Sequence, residues 1–389
     1  MDSRERVSML LIKKELPDRM GIYEHFWPET LSNWVKEGYP TKKVYKKQGE
    51  TRWDENTGRY INVEKEGEYI EPVNPLDYFD YDIVGCGGWF DTSLFPGRRE
   101  IIEETDQWQI IKDSRGAILK WWKNKSGTPE HIDFEIKTPE IWKKYREILF
   151  ETKIERLGDI NQIKKNLENA KEKKKFSVYG NVFVFELLRA TIGDQNFLPA
   201  LLVEPEWIKD FCNLYTDFYI RHYEILFREA GIPDGFFLYE DFGYSKGLFC
   251  SPQTLKEVIL PYERKLISFF KDYGLPVILH TDGDIRKAIP LFIEIGIDCI
   301  QPMEAKAGLD VVELAKEYGR KISYMGNINA VVLGKNDLNK VEQEVLTKIK
   351  NLKELKIPYF FHSDHSVPPT VNFKTYSYAV KIFKENSNY

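Results

Sequence analysis

Cysteine is scarce in this 389-residue chain: Cys86, Cys212, Cys250 and Cys299 are the only four, and no two form a CxxC pair. That spacing excludes a disulfide scaffold and a cysteine-rich zinc module, and it fits a reducing cytoplasm. Long apolar runs are missing too. No window reaches the roughly eighteen consecutive apolar residues of a membrane span. The opening MDSRERVSMLLIKKELPDR carries charges where a secretion signal would have an apolar core. There is no excess of basic charge: 56 Lys and Arg stand against 61 Asp and Glu, for a net charge of −5. The basic residues are spread along the chain, so the footprint of a nucleic-acid binder is lacking.

Familiar catalytic signatures are absent as well. The chain has no GxSxG elbow, no GxxxxGK[ST] phosphate loop, no GxGxxG after a strand and no HExxH. Gly85-Cys86-Gly87-Gly88 is glycine-rich but opens no helix, and reads as a turn beside a site. Cys250 precedes a helix N-cap at Ser251, which makes it a candidate for a lowered thiol pKa.

What the chain does have is alternation of strand and helix. From residue 176 short apolar or β-branched segments (Phe176 to Val182, Gly235 to Phe242, Val277 to His280, Cys299 to Met303, Ile322 to Met325, Tyr359 to His362) are each followed by an amphipathic helical stretch. Examples are Ile285 to Ile295, Leu309 to Tyr318, Leu338 to Leu352 and Phe373 to Lys384. Such units imply a parallel sheet with right-handed crossovers. Arg19 to Tyr23 and Tyr81 to Cys86 raise the strand candidates to eight, which predicts a closed (β/α)₈ TIM barrel behind an N-terminal extension. Residues 41–75 and 104–136 break the alternation and read as insertions on one barrel domain spanning 1–389. In the first, Asn56-Thr57-Gly58 signals a turn. In the second, residues 106–123 read as an antiparallel hairpin around Asp113-Ser114-Arg115-Gly116.

Barrel active sites form where the strands end, so the polar residues there are the candidates. They are Glu240 and Asp241, His280 and Asp282, Gln301 and Glu304, Asn327 and Asn329, and Asp364 and His365. Strand side chains alternate faces, so His280 and Asp282 point the same way. Two imidazoles and one or two carboxylates make a three-ligand metal site with an open position. His₂Asp suits Zn²⁺ and also Fe²⁺, Mn²⁺ or Co²⁺. The expected metal ligands are His280, Asp282 and His365, and the expected catalytic residues are Glu240, Asp241 and His365. Phe26, Trp27, Tyr239 and Tyr244 are the candidate lining of an apolar substrate pocket, with Gln301, Glu304 and Asn327 as polar substrate contacts.

The segments RERVSMLLIKKELPDRMGIYEHF, GFFLYEDFGYSKGLFCSP, LPYERKLISFFKDYGLPVILHTDGDI, GIDCIQPME, YGRKISYMGNIN and HSDHSVPPTVNFKTY resemble the uroporphyrinogen decarboxylase family. This superfamily of (β/α)₈ barrels also contains corrinoid-protein methyltransferases. The resemblance implies that a true decarboxylase would carry an arginine motif of the MRQAGR type, whereas Tyr23-Glu24-His25-Phe26-Trp27-Pro28-Glu29 has no arginine. A porphyrinogen with eight carboxylates needs cationic partners. Asp80 or Asp82 would take the place of the decarboxylases' pyrrole-binding aspartate.

The methyltransferase branch implies zinc held by His-x-Cys and a distant Cys. His280 matches that histidine, with Asp282 in the first cysteine's place and His365 in the second's. Exchanging thiolates for a carboxylate and an imidazole hardens the site, favouring polarisation of an oxygen over activation of a thiol. The expected function is therefore a metal-dependent methyltransferase, zinc-bound or holding another divalent ion, that moves a methyl group between a small methoxylated substrate and a corrinoid on a separate protein. The chain has no DxHxxG corrinoid module of its own. A cofactor-free decarboxylase of a less anionic substrate is the alternative. A cytoplasmic homodimer without nucleic-acid or membrane contact completes the expectation.

Overall fold

A computed structural model of the chain describes residues 1–46, 51–54, 59–62, 67–123 and 128–389. Eight strands make the central sheet: β1 (Gly21–Ile22), β2 (Ile83–Gly87), β3 (Phe176–Val182), β4 (Gly235–Tyr239), β5 (Val277–Thr281), β6 (Cys299–Pro302), β7 (Ser323–Met325) and β8 (Tyr359–Phe361). They run in the order β1-β8-β7-β6-β5-β4-β3-β2, and every paired neighbour is parallel. The two ends meet at Asp82. Its N–H donates to the Ile22 carbonyl at 2.9 Å, and its Oδ2 accepts from the Ile22 N–H at 2.9 Å. Helices fill the crossovers, among them Pro205–Glu229, Leu260–Asp272, Leu338–Glu354 and Phe373–Asn386. The expected (β/α)₈ barrel is what forms.

Period-two alternation decides what faces the axis. Val277 and Leu279 join the large core between sheet and helices, while Ile278 joins an inner cluster with Ile83, Phe176, Phe237 and Phe360. His280 and Asp282 follow Ile278 on the axial face. The N-terminal helix Ser3–Ser8 starts with a capping box between Asp2 and Glu5. This segment brings Val7, Leu10 and Leu11, all fully buried, into the inner cluster and closes the barrel floor. Asp82 is buried beside it and receives Arg6 and Arg19, each at 2.8 Å, and Ser3 Oγ at 2.7 Å.

Some boundaries differ from the sequence reading. β4 stops at Tyr239, three residues before Phe242, and a helix starts at Ile289, four after Ile285. In the second case Asp284 and Arg286 pair with each other at 2.7 Å in a loop, and Pro290 opens the helix. The insertion at 41–75 carries the antiparallel pairs Thr41–Lys46 with Gly67–Pro72 and Thr51–Asp54 with Arg59–Asn62. The Asn56-Thr57-Gly58 turn lies outside the described residues. The hairpin at 106–123 is the centre of a larger sheet, in which Trp108–Lys112 and Ala117–Trp122 are flanked by Glu100–Glu104 and Glu130–Phe134. Among the described residues no helix is long and apolar enough to cross a membrane.

Candidate metal centre

Three side chains converge at the C-terminal rim: Asp241 after β4, His280 on β5 and Asp282 just past it. One ligand atom from each lies within 4.8 Å of the others. Register makes this meeting, because Tyr239 pairs with His280 across β4 and β5. The Asp282 N–H donates to Asp241 Oδ1 at 3.0 Å, and His280 Nε2 faces that same oxygen at 3.8 Å. Gly283 forms the turn that follows. Its φ is +83°, and a Cβ there would lie 2.4 Å from the Tyr244 backbone nitrogen, so only glycine fits.

The donor set fits a divalent cation. Asp282 Oδ1 is buried without a hydrogen-bond partner, although its Oδ2 stands 3.3 Å from His365 Nε2. A buried carboxylate oxygen left unpaired is rare and calls for a positive partner. Burial raises the pKa of Asp241, opposed by His280 and reinforced by Asp282. For Asp282, burial is outweighed by the hydrogen bond from His365 together with the charges of His280 and His365, and its pKa falls. His365 in turn is raised by its hydrogen bond to Asp282.

His365 thus touches the centre through Asp282, while Asp241 stands in the three-membered group. It lies nearly parallel to Trp27, with ring centroids 6.0 Å apart at 11°. Both line a cleft of about 520 Å³ with Lys306, Asp364 and Ser366. On the other flank Tyr239 packs against His280 at 5.3 Å and against Trp89, a half-exposed ring, also at 5.3 Å. A Cβ at Gly180 would come within 3.1 Å of the Tyr239 ring, so that glycine leaves the room these rings occupy.

The remaining candidates are placed elsewhere. Glu240 is fully buried on the outer side of the barrel wall, where it accepts from the amides of Phe183, Phe185 and Glu186. It caps the helix Val184–Ile192, whose first N–H groups have no intrahelical acceptor. Glu263 lies against it, and burial pushes the Glu263 carboxyl up to about 8. Phe26 packs among Trp34, Tyr81 and Tyr376 behind the rim, and Tyr244 is exposed on a two-stranded turn. Glu304 accepts from the Gly283 N–H at 3.0 Å and pairs with Lys306 at 2.7 Å, bracing the turn after Asp282. Asn327 and Asp364 bond backbone groups of neighbouring loops. Asp82 and Asp80 belong to the floor and outer surface, bound by Arg6 and Arg19 and by Lys175. Neither reaches the rim. At Cys250 burial pushes the thiol up to about 11, against the lowered value expected from its helix.

Three groups absent from the sequence-derived set lie beneath the rim. His25 bonds Tyr23 Oη at 3.0 Å, and burial pushes its imidazole down to about 3. His362 is fully buried with Nε2 3.2 Å from Glu24 Oε1. Glu24, pushed up to about 8 by burial, accepts from the Ser363 N–H at 2.9 Å. The signal was the period-two spacing of Tyr23 and His25, and of Phe360 and His362, which continues the axial faces of β1 and β8 past their ends.

A closed parallel barrel with its polar residues gathered at one rim defines the class. Within it, a sequence profile of the uroporphyrinogen decarboxylase (URO-D) family matches residues 152–386, and the chain belongs to that family. A methyltransferase from Methanosarcina mazei shares the fold, with a TM-score of 0.64 at 13% identity over 99% of each chain. An AP endonuclease of family 2 from Brucella melitensis matches at a TM-score of 0.35 and 12% identity, over 59% of this chain and 84% of that one. No curated protein matches the chain.

Proposed function

We propose that the protein is a metal-dependent methyltransferase, moving a methyl group between a small methoxylated substrate and a corrinoid carried by a separate protein. One observation carries the metal in this reading: a carboxylate oxygen of Asp282 is buried without a partner at a rim where Asp241 and His280 offer their own ligand atoms; the methyl transfer is supported by the family and by the likeness to a methyltransferase fold. A nitrogen and two carboxylates suit Zn²⁺, and equally Mn²⁺, Fe²⁺ or Co²⁺. When bound, such an ion supplies Lewis acidity toward a substrate oxygen.

The chain's own residues do the rest. Asp241, His280 and Asp282 hold the ion. His365 steadies Asp282 and provides a proton for the oxygen that loses its methyl group. Trp27 and Tyr239, on opposite flanks, give the substrate apolar walls. Glu240 has no part in this chemistry, since both its oxygens are engaged behind the wall.

Elemental analysis of purified wild type and His280→Ala tests the reading, together with methyl transfer to free cob(I)alamin before and after chelation. Expected are about one divalent ion per wild-type chain, little in the variant, and activity lost on chelation. A metal-free protein with full activity overturns the proposal. A decarboxylase without cofactor would be indifferent to the chelator.

A further inference from the structure

We propose that Gln301 is a positioning residue: it fixes the tautomer of His280, as the last link of a hydrogen-bond chain that starts at the Ser363 carbonyl and runs through His362. The inference rests on the metal reading above, since the atom it frees, His280 Nε2, is the one facing Asp241.

His362 Nδ1 lies 2.6 Å from the Ser363 carbonyl oxygen, which can only accept. Nδ1 therefore carries a proton. His362 is fully buried, and burial together with the neighbouring His25 drives its pKa well below that of free histidine. It is neutral, so its Nε2 bears a lone pair. Gln301 Nε2 stands 3.1 Å from that lone pair and donates to it. Glu24 Oε1, 3.2 Å away, belongs to a carboxyl that burial keeps protonated at neutral pH, so it is no competing anion.

With its NH₂ end committed, the Gln301 amide has one orientation. Its Oε1 faces His280 Nδ1 at 2.6 Å and can only accept. His280 is thereby held with its proton on Nδ1 and its lone pair on Nε2. Turning the amide over would set its oxygen against the lone pair of His362 Nε2, two acceptors facing each other. Strand pairing makes the contact unavoidable, because His280 and Gln301 are direct partners across β5 and β6. Gln301 is almost fully buried with both amide ends engaged. It therefore has no free atom for the substrate contact assigned to it from sequence.

The fixed tautomer has a use. Metal-ligating histidines hold their orientation and basicity through a partner on the second ring nitrogen, and loss of that partner weakens metal binding by about 10- to 100-fold. A carboxylate is a frequent partner in that position. Here it is a neutral amide, backed by a neutral imidazole, which orients His280 without adding negative charge.

The test reads the tautomer directly. Metal-free protein labelled with ¹⁵N only in its six histidines is examined by long-range ¹H–¹⁵N correlation, with His280 assigned by its loss in His280→Gln. Expected is an Nδ1–H tautomer for His280 in wild type, a mixture in Gln301→Met, and an Nδ1–H tautomer again in Gln301→Glu, which keeps an accepting oxygen. Zinc affinity by competition with a chromophoric chelator should fall about 10- to 100-fold in Gln301→Met and recover in Gln301→Glu. An Nε2–H tautomer in wild type, or an unchanged one in Gln301→Met, overturns the proposal. Should wild type show the expected tautomer and bind no zinc or cobalt, the metal reading falls and the tautomer assignment stands.

Discussion

Asp282 Oδ2 lies 3.3 Å from His365 Nε2, which ties the loop after β5 to the loop after β8 across the barrel mouth. The other Asp282 oxygen is left without a hydrogen bond. Removing the imidazole should cost metal affinity without abolishing it, because His365 steadies a ligand. His365→Phe is expected to weaken zinc binding about 10- to 100-fold, whereas His280→Ala or Asp282→Ala should reduce it to the nonspecific level. Competition titration with a chromophoric chelator distinguishes the two classes.

Asp82 carries no chemistry at the rim, and its loss should show in stability. It is fully buried between Arg6 and Arg19. Breaking a buried pair while leaving its cations costs about 3–5 kcal/mol. Asp82→Asn is expected to lower the denaturation midpoint accordingly. The protein that remains folded should bind zinc as tightly as wild type.

Glu263 gives the chain a pH dependence of definite sign. Burial beside Glu240 raises its carboxyl to about 8 in the folded protein, while an unfolded chain releases that proton near the ordinary value of about 4.3. Between those values the folded state holds the extra proton, so stability falls as pH rises. Glu263→Gln cannot ionise. It should melt close to wild type at pH 5 and several degrees higher at pH 8, as read by calorimetry. A variant less stable than wild type at pH 8 would contradict the assignment.

Trp27, stacked over His365 and partly exposed, should matter to substrate more than to folding. Trp27→Ala is expected to raise KM roughly fivefold, about 1 kcal/mol of lost ring contact, with little change in melting temperature. Steady-state kinetics alongside a melting curve checks both halves.

Most of the architecture was legible in the sequence, because each barrel strand is a short apolar run closed by a polar turn. The pairing of His280 with Asp282 followed from the period of a strand. The choice between Glu240 and Asp241 did not, since it turns on a single residue of register. β4 ends at Tyr239, so Glu240 faces the helices and Asp241 the axis. His25, His362 and Glu24 are not legible in the sequence for another reason. They sit 337 and more residues apart in sequence order at the extremes, in apolar surroundings. They become a group only when closure of the barrel sets β1 beside β8.

Among the described residues, the N-terminal segment fills the barrel floor and leaves the rim as the open end. Val7, Leu10 and Leu11 seal the far end, so anything bound beneath the rim entered past Trp27, Trp89 and Asp241 and must depart the same way. Traffic through one open end has an order. An ion held at the rim has to arrive before the substrate that covers it, and a chelator has to wait until that substrate has gone.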